Sequence, residues 1–304
     1  MATITALTAR VKDDAGAIVD PEVVARACVE AGHGWRERQL NPAQTLATFI
    51  TQIAHGNTAI GHVVRLAGGR FRESAYCQAR ARLPVRVVRA VADDFTRRAL
   101  ARADGSGWCG LRPVLIDGTG VVMPDAPELR RHFGTASCYT PGCGLPLAGV
   151  LAVFDAETDL LLDLHAAPAR TQDLRHVHEV HPALTPGDVL VGDAGYCAYA
   201  HLAILQKAGI HAVFRMSRTR TMPFPARRGE RARLAGSRHR KHEPLLVRVI
   251  GEDDQIVEIV KPHNRPGQVS PEVFASLPSK LIVRAVRYKV TQTGWRSSEI
   301  VLLT

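Results

Sequence analysis

Two aspartates, Asp117 and Asp193, each follow an apolar run that predicts a β-strand. Asp117 comes after "PVLI" and before Gly-Thr-Gly, and Asp193 comes after "VLVG" with Gly195 two residues later. In mixed α/β sheets functional groups gather at the carboxyl ends of strands, and neighbouring strands lie about 4.8 Å apart. Two carboxylates that close repel each other, and a divalent cation removes the repulsion. The pattern is therefore consistent with a Mg²⁺ site that acts on a phosphodiester.

The same two residues fit simpler roles, which spacing alone leaves open. Aspartate at a strand end is often a turn former or a helix cap, and Gly-Thr-Gly is good turn chemistry. A phosphatase-type nucleophile is disfavoured because Leu115 stands where that fold has a second aspartate. The three histidines in "HVHEVH" (176–181) match no zinc-binding spacing and are expected on a helix surface. Six cysteines form no CxxC pair, so no zinc site is expected.

The chain is strongly basic, and the charge is concentrated in two regions. The net charge is +10 and the pI about 9.7. Residues 215–241 contain ten Arg and Lys against one acid, and residues 65–102 contain ten Arg against three acids. Such regions favour a polyanion partner, most simply nucleic acid, although a solvated surface or a flexible loop has the same composition. The arginines expected to contact DNA are Arg80, Arg82, Arg215, Arg218, Arg227, Arg228, Arg231 and Arg233.

Residues 1–104 are predicted to form a small all-α domain, with DNA binding as its expected role. Asp20-Pro21 and Asn41-Pro42 each have the pattern of a helix cap followed by proline in the first turn. A further helix is predicted to start at Pro84. The apolar residues expected to face inward on it are Val85, Val88, Ala92 and Phe95.

Residues 105–216 predict a mixed α/β sheet, because three strands precede an alternation of helix and strand. In the segment "RPVLIDGTGVVMPD" we expect two strands separated by a turn at Gly-Thr-Gly. Residues 217–304 predict a basic loop, a β-rich insertion and a strand that returns to the main sheet. Because the chain has neither an apolar run of 18 residues nor a secretory signal, we expect a cytoplasmic, nucleoid-associated protein without a membrane partner.

Several segments together resemble a known family. The sequences "LIDGTGVVMPD", "PGCGLPLAGVLAVFDAETD", "PGDVLVGDAGYCAYAHLAILQKAGIHAVFRM" and "VRYKV…GWRSSEIVLLT" are similar, in that order, to DDE-type insertion-sequence transposases of the insertion-sequence-four group. The helical segment "ESAYCQARARLP" is similar to the region that precedes the core in that group. The resemblance implies a ribonuclease H-like core with a β-rich insertion. It also implies that Asp117 and Asp193 are the first two acids of the DDE triad.

The resemblance carries further implications for the activity. It implies two Mg²⁺ ions, with Asp117 bridging both and Asp193 holding one. It implies a reaction that cleaves and transfers DNA strands, with transposon ends and target DNA as the double-stranded DNA partners. It also implies that the complete protein is a homodimer. The family's third acid is a Glu in a Tyr-x2-Arg-x3-Glu-x6-Lys signature, and Glu299 does not fit that signature. We therefore expect a C-terminally truncated transposase with an incomplete ion site and weak or no activity.

Three alternatives stay open from the sequence. One is a non-catalytic DNA-binding fragment that regulates an intact transposase. Another is a transposase completed from a second reading frame, and the third is a nuclease with ordinary ribonuclease H chemistry. The terminal repeats and the target sequence are not encoded in any pattern of this chain.

Overall fold

The computed structural model describes residues 18–103, 107–135, 143–168, 173–217, 222, 224, 244–289 and 299–304. The chain divides into two compact units, Met1–Ala103 and Asp104–Thr304. Within the described residues no helix is long and apolar enough to cross a membrane.

The first unit is helical in its described part. Its helices are α1 (Pro21–Glu30), α2 (Pro42–Ala54), α3 (Ile60–Leu66), α4 (Glu73–Arg82) and α5 (Val85–Leu100). The two predicted caps are confirmed, because the side chain of Asp20 accepts a hydrogen bond from Glu22 N–H and that of Asn41 accepts one from Gln44 N–H. An apolar core formed by α1, α2 and α5 includes Val24, Leu46 and Val87.

The predicted inward face of α5 is only partly correct. Val88 is partly buried and packs against the core of this unit, but Val85 is 82% exposed and Ala92 is exposed as well. The buried residues of the helix are Val87, Val91 and Asp94. Val85 is the first residue of the helix and directly follows the N-cap residue Pro84. Asp94 can be buried because its carboxylate pairs with Arg97 and Arg98 from the next turn.

The second unit is built on one nine-stranded sheet. Its strands are β1 (Pro113–Val122), β2 (Leu147–Asp155), β3 (Leu161–Pro168), β4 (Val189–Gly192), β5 (His211–Arg215), β6 (Leu245–Gly251), β7 (Asp254–Val260), β8 (Lys280–Lys289) and β9 (Glu299–Leu303). Its helices are α6 (Pro127–Phe133), α7 (Val177–Val180), α8 (Tyr199–Lys207) and α9 (Pro271–Ser276), with 3-10 turns at Asp173–Arg175 and His181–Ala183.

The strand order in the sheet is β3-β2-β1-β4-β5-β9-β8-β7-β6. β1, β2 and β3 form an antiparallel meander, and β4 and β5 run parallel to β1. This arrangement confirms the predicted α/β class with a ribonuclease H-like core. β9 returns to pair with β5, and β8, β7 and β6 extend the same sheet beyond it.

The expected turn after Asp117 is wrong. β1 continues through Gly118, Thr119 and Gly120 to Val122, and all of these residues pair with β2. Glycine adopts extended backbone without strain, and the ladder with β2 satisfies the backbone groups that a turn would have left to water. Asp117 therefore lies inside a long strand.

Alternation along β1 separates two faces of the sheet. Val114 and Ile116 are buried in the core of this unit together with Leu190, Ala203 and Phe214. Leu115 is 41% exposed, and Asp117 shares its face because side chains alternate along a strand. The acid-bearing face is thus opposite the face that packs on the core.

Candidate active site

Asp117 lies in β1, and Asp193 directly follows β4, the parallel neighbour of β1. The two strands pair as far as Leu115 opposite Val191. If the same register continues for two more residues, Asp117 and Asp193 are expected at the same level. Residues at the same level of adjacent parallel strands project from the same face, about 4.8 Å apart. The prediction that the two strands are neighbours is confirmed.

Each carboxylate is held by one backbone donor and keeps one oxygen available. Gly118 N–H donates to Asp117 Oδ1 at 2.8 Å, and Gly195 N–H donates to Asp193 Oδ1 at 2.7 Å. Both residues are exposed. Within the described part of the chain, the Oδ2 atoms of both residues make no hydrogen bond or ion pair. Two exposed carboxylates with a free oxygen each are suitable ligands for a hard cation.

An ion pair fixes the strand register at the other end of the same two strands. Arg112 immediately precedes β1 and Asp188 immediately precedes β4. Arg112 Nε donates to Asp188 Oδ1 at 2.9 Å and Arg112 Nη2 donates to Oδ2 at 2.6 Å. Burial alone would raise the pKa of Asp188, but hydrogen bonds from Arg112 and Thr185 outweigh it and lower the pKa. The pair lies five residues before the two acids on both strands, so it sets their alignment.

The backbone immediately before Asp193 packs closely against core side chains. A Cβ on Gly192 would lie 2.9 Å from side-chain atoms of both Ile116 and Tyr196, and 3.2 Å from Phe214. Only glycine fits there without displacing a neighbour. The position of Asp193 is thus tied to the packing of the core face beneath it.

Arg215 is the last residue of β5, which pairs with β4. Gly192 lies opposite Phe214, so Arg215 is expected beside Asp193 if the register continues by one residue. Leu302 of β9 lies opposite Arg215. Side chains alternate along β9, so Glu299, three residues before Leu302, projects from the opposite face to Arg215.

The two predicted DNA-contacting arginines of the helical unit differ in their surroundings. Arg80 donates to Gln52 Oε1 at 3.0 Å and lies over the rings of Phe49 and Tyr76. This packing stabilises the helical unit, and a DNA contact by Arg80 stays a prediction. Arg82 is exposed, and its guanidinium bonds to Gln78 on its own helix.

Arg82 lines a cavity of about 920 Å³ between α4 and the segment that precedes α2. Arg36, Arg38 and Trp35 line it as well. The five remaining predicted arginines, Arg218, Arg227, Arg228, Arg231 and Arg233, lie outside the described residues.

Sequence reasoning missed three features of the site. They are the Arg112–Asp188 pair, the need for glycine at position 192 and the pairing of β5, which ends at Arg215, with β4. All three depend on which strands are neighbours, which the chain order alone does not give. Among the described residues, no group of three or more His, Cys, Asp or Glu side chains is arranged to hold a metal ion.

A comparison with known protein families shows which family this chain belongs to. A family model described as the transposase DDE domain matches residues 108–291, which is more than half of the chain. The chain belongs to this family. The match covers both aspartates, and the transposase domain coincides with most of the second unit.

One relative and two solved structures that are similar to this chain are named as transposases. The protein named "Putative transposase InsZ" of Escherichia coli (strain K12) is 28% identical over 180 residues, which cover 58% of this chain and 56% of the relative. The chain thus spans about half the length of that relative. Among solved structures, a piggyBac transposase synaptic complex with hairpin DNA aligns over 94% of this chain and 59% of its own, at 12% identity and a TM-score of 0.40. A Mos1 transposase paired-end complex aligns over 59% of this chain and 60% of its own, at 10% identity and a TM-score of 0.24.

Proposed function

We propose that this transposase domain cleaves and transfers DNA strands with Mg²⁺, which Asp117 and Asp193 hold between them. The observation that carries the proposal is the parallel pairing of β1 with β4, from which we expect the two exposed carboxylates at one level on one face. Unpaired acids at that spacing repel each other, and a shared divalent cation offsets the repulsion. Family membership supports the same chemistry.

The free Oδ2 atoms of Asp117 and Asp193 would hold the cation, while their Oδ1 atoms stay bound to the backbone. When bound, the cation stabilises charge on the reacting phosphate and on the attacking and leaving oxygens. The backbone hydrogen bonds keep both carboxylates oriented, so that little reorganisation accompanies the reaction. Asp117 is the proposed bridging ligand if two ions bind.

Arg215 is the proposed phosphate contact at the site. It is the last residue of β5, which pairs with β4, the strand that leads into Asp193. A guanidinium there can donate to phosphate oxygens and bring the polyanion to the cation. Contacts of this kind position DNA without reading its sequence.

The proposed DNA contact of the helical unit is its basic cavity. Arg36, Arg38 and Arg82 line it together with Trp35. Three guanidinium groups around one cavity attract phosphates, and an aromatic side chain among them adds a stacking surface for a sugar or base. Double-stranded DNA is the proposed partner, and its affinity is expected to rest on phosphate contacts.

We propose that the activity of this chain alone is weak. The basis is the signature that the resemblance implies for the third acid, Tyr-x2-Arg-x3-Glu-x6-Lys, which no segment of the given sequence matches. With fewer ligands the cation binds less tightly, so cleavage is expected to be slow and to need a high concentration of the metal ion.

The experiment that tests the proposal is a nicking assay on supercoiled plasmid DNA with Mg²⁺ or Mn²⁺, since no terminal sequence is needed. The variants are Asp117→Asn and Asp193→Asn. Asp159→Asn is the matched control, because Asp159 is an exposed acid in a turn with φ 57° that asparagine also adopts. We expect metal-dependent nicking by wild type and by the control, and at least a tenfold loss in the two site variants.

Two outcomes would contradict the proposal. Equal nicking by the site variants and the control would show that the acids do not act in cleavage. DNA binding without any metal-dependent nicking would instead favour the second candidate function, a non-catalytic DNA-binding fragment, which the basic composition supports by itself.

A further inference from the structure

The loop that carries Asp193 is closed by a short chain of hydrogen bonds. Gly195 N–H donates to Asp193 Oδ1 at 2.7 Å, and Tyr196 N–H donates to the Asp193 carbonyl at 3.3 Å. The Tyr196 carbonyl accepts a bond from Ala198 N–H at 2.9 Å. The loop then enters α8, so the carboxylate depends on where Tyr196 is held.

His201 of α8 provides a second bond to the same carbonyl. Its Nδ1 lies 2.9 Å from Tyr196 O. Since a carbonyl oxygen only accepts, Nδ1 carries the proton. The ring is buried and stacks on Phe214, with ring centroids 5.1 Å apart. Phe214 also lies next to Gly192, the residue before Asp193, so His201 contacts the loop directly through its bond to Tyr196 and is linked to the end of β4 through Phe214.

A second histidine fixes the tautomer of His201. His181 Nε2 lies 3.1 Å from His201 Nε2, and the two rings are stacked within 10° of parallel. With Nδ1 of His201 protonated, its Nε2 is an acceptor in the neutral ring, so His181 Nε2–H is the donor. Burial, followed by the nearby His178, lowers the pKa of His181 to about 4. Burial, followed by His181, lowers the pKa of His201 to about 4 against the bond to Tyr196. Both rings are therefore neutral at pH 7.

We propose that His201 is a positioning residue for Asp193, acting through its Nδ1–H bond to the Tyr196 carbonyl, with His181 holding it in that tautomer. His201 touches neither substrate nor cation. It restrains the loop from the core side, while Gly195 restrains the carboxylate from within the loop. This inference rests on the proposed role of Asp193 as a metal ligand, although the loop restraint can be measured without any metal.

Two substitutions separate the bonds of His201. The amide of His201→Asn can take the place of Nδ1 and keep the donor to Tyr196, but it loses His181. The longer side chain of His201→Gln can take the place of Nε2 and keep the partner of His181, but it loses Tyr196. If His201 contributes only to core packing, both variants should affect the loop to a similar extent. If His201 positions the loop, His201→Asn should behave like wild type and His201→Gln should not.

The test combines three measurements on the whole chain. Long-range ¹H–¹⁵N spectra of wild type report which ring nitrogen of His201 and His181 carries the proton. Amide hydrogen exchange compares Gly195 with Val283 of β8, which lies three strands away from β4. Mn²⁺ titration followed by electron paramagnetic resonance gives the dissociation constant.

We expect Nδ1–H in His201 and Nε2–H in His181. In His201→Gln the Gly195 amide should exchange about tenfold faster with Val283 unchanged, and the Mn²⁺ dissociation constant should rise about tenfold. In His201→Asn both quantities should stay within about threefold of wild type.

An Nε2–H tautomer in His201, or equal exchange at Gly195 in the two variants, would overturn the inference. So would unchanged Mn²⁺ affinity in His201→Gln when wild type binds Mn²⁺. If the exchange pattern is as expected and wild type binds no Mn²⁺, the loop restraint is supported and the proposed metal site fails, so the two failures are distinguishable.

Discussion

At the scale of single residues, the position of Asp193 depends on neighbours that carry no charge. Gly192 lets the core face pack directly under the strand end, and Gly195 supplies a backbone donor to the carboxylate. The acid and the apolar core are thus coupled through a few atoms. Substitutions at these glycines leave the Asp193 side chain itself unchanged, but they should still shift the position of its carboxylate.

Gly192→Ala tests this coupling. The added methyl group meets side-chain atoms of Ile116 and Tyr196 at 2.9 Å, so the core must shift or the strand end must move. We expect a loss of roughly 1–3 kcal/mol in the free energy of unfolding, measured in urea, together with weaker Mn²⁺ binding. Gly267→Ala is the control, because a Cβ there has open space. Equal stability of the two variants would contradict the packing argument.

The buried histidine pair makes stability depend on pH. The pKa of His201 lies at about 4 in the folded protein, against an ordinary value of 6.5. Because the unfolded chain binds more protons between these values, stability is full above pH 6.5 and decreases as the pH falls towards 4, by on the order of 3 kcal/mol for His201. Urea unfolding of wild type between pH 7 and pH 4.5 should show this decrease.

His201→Asn lacks the titrating ring at that position, so its stability should fall less over the same pH range. His211→Gln, a change at an exposed histidine, should follow wild type. If His201→Asn and wild type lose stability in parallel, His201 is not the group that takes up the proton.

At the scale of elements, the alignment of β1 and β4 is the feature on which the site depends. The Arg112–Asp188 pair joins the starts of the two strands, and Val189 N–H donates to the Arg112 carbonyl at 2.9 Å. A one-residue slip would place Asp117 and Asp193 at different levels and on different faces. The ion pair therefore stabilises the alignment of the two strands, although it lies five residues before Asp117 and Asp193.

Asp188→Asn is predicted to cost about 3 kcal/mol in the free energy of unfolding, because it leaves Arg112 partly buried without its counter-ion. Since the pKa of Asp188 is lowered in the folded protein, this contribution is present above the ordinary value and is lost as the pH falls through the folded value. That loss comes at lower pH than the histidine effect. Asp159→Asn is the control, and an equal effect of both changes would contradict the assignment.

Several elements could be predicted from the sequence because local signals determine them. The caps at Asp20 and Asn41, the hairpin of β2 and β3 and the helix closed by Gly209, with φ 72°, all form where local residues require them. The continuation of β1 past Asp117 could not be predicted. Its Gly-Thr-Gly segment suits a turn locally, and pairing with β2 decides the outcome.

The site was predictable in part for the same reason. The two acids were predicted from the apolar strands that precede them. The resemblance to transposases indicated that they are the first and second acids of the triad. Arg215 was predicted from charge alone, and its expected place beside Asp193 depends on β5 lying next to β4. The tautomer and contacts of His201 have no signature in the sequence, because His181 and Phe214 reach it only through the fold.

At the scale of the whole molecule, two units carry different parts of the proposed function. The sheet unit has the acids, and the helical unit has its own apolar core and a basic cavity. The net charge of +10 favours association with any polyanion. Charge alone therefore does not distinguish the cavity from the rest of the surface, and its contribution has to be measured by substitution.

The cavity arginines should account for part of the salt dependence of DNA binding. Replacing Arg36, Arg38 and Arg82 by alanine should reduce the slope of log affinity against log salt by about 2 to 3, which is close to one unit per lost phosphate contact. The control replaces three exposed arginines outside the cavity, Arg26, Arg65 and Arg86. If the two triple variants have the same slope, the cavity is not a DNA contact.

The measurement that tests the central claim most directly is Mn²⁺ binding by the purified chain, followed by electron paramagnetic resonance at pH 7. If Asp117 and Asp193 share one cation, each single Asn variant should weaken binding by at least tenfold, and the double variant should be little worse than either single. Asp159→Asn should bind as wild type does. Wild-type affinity in the double variant would show that the two acids, although expected at one level, hold no metal ion.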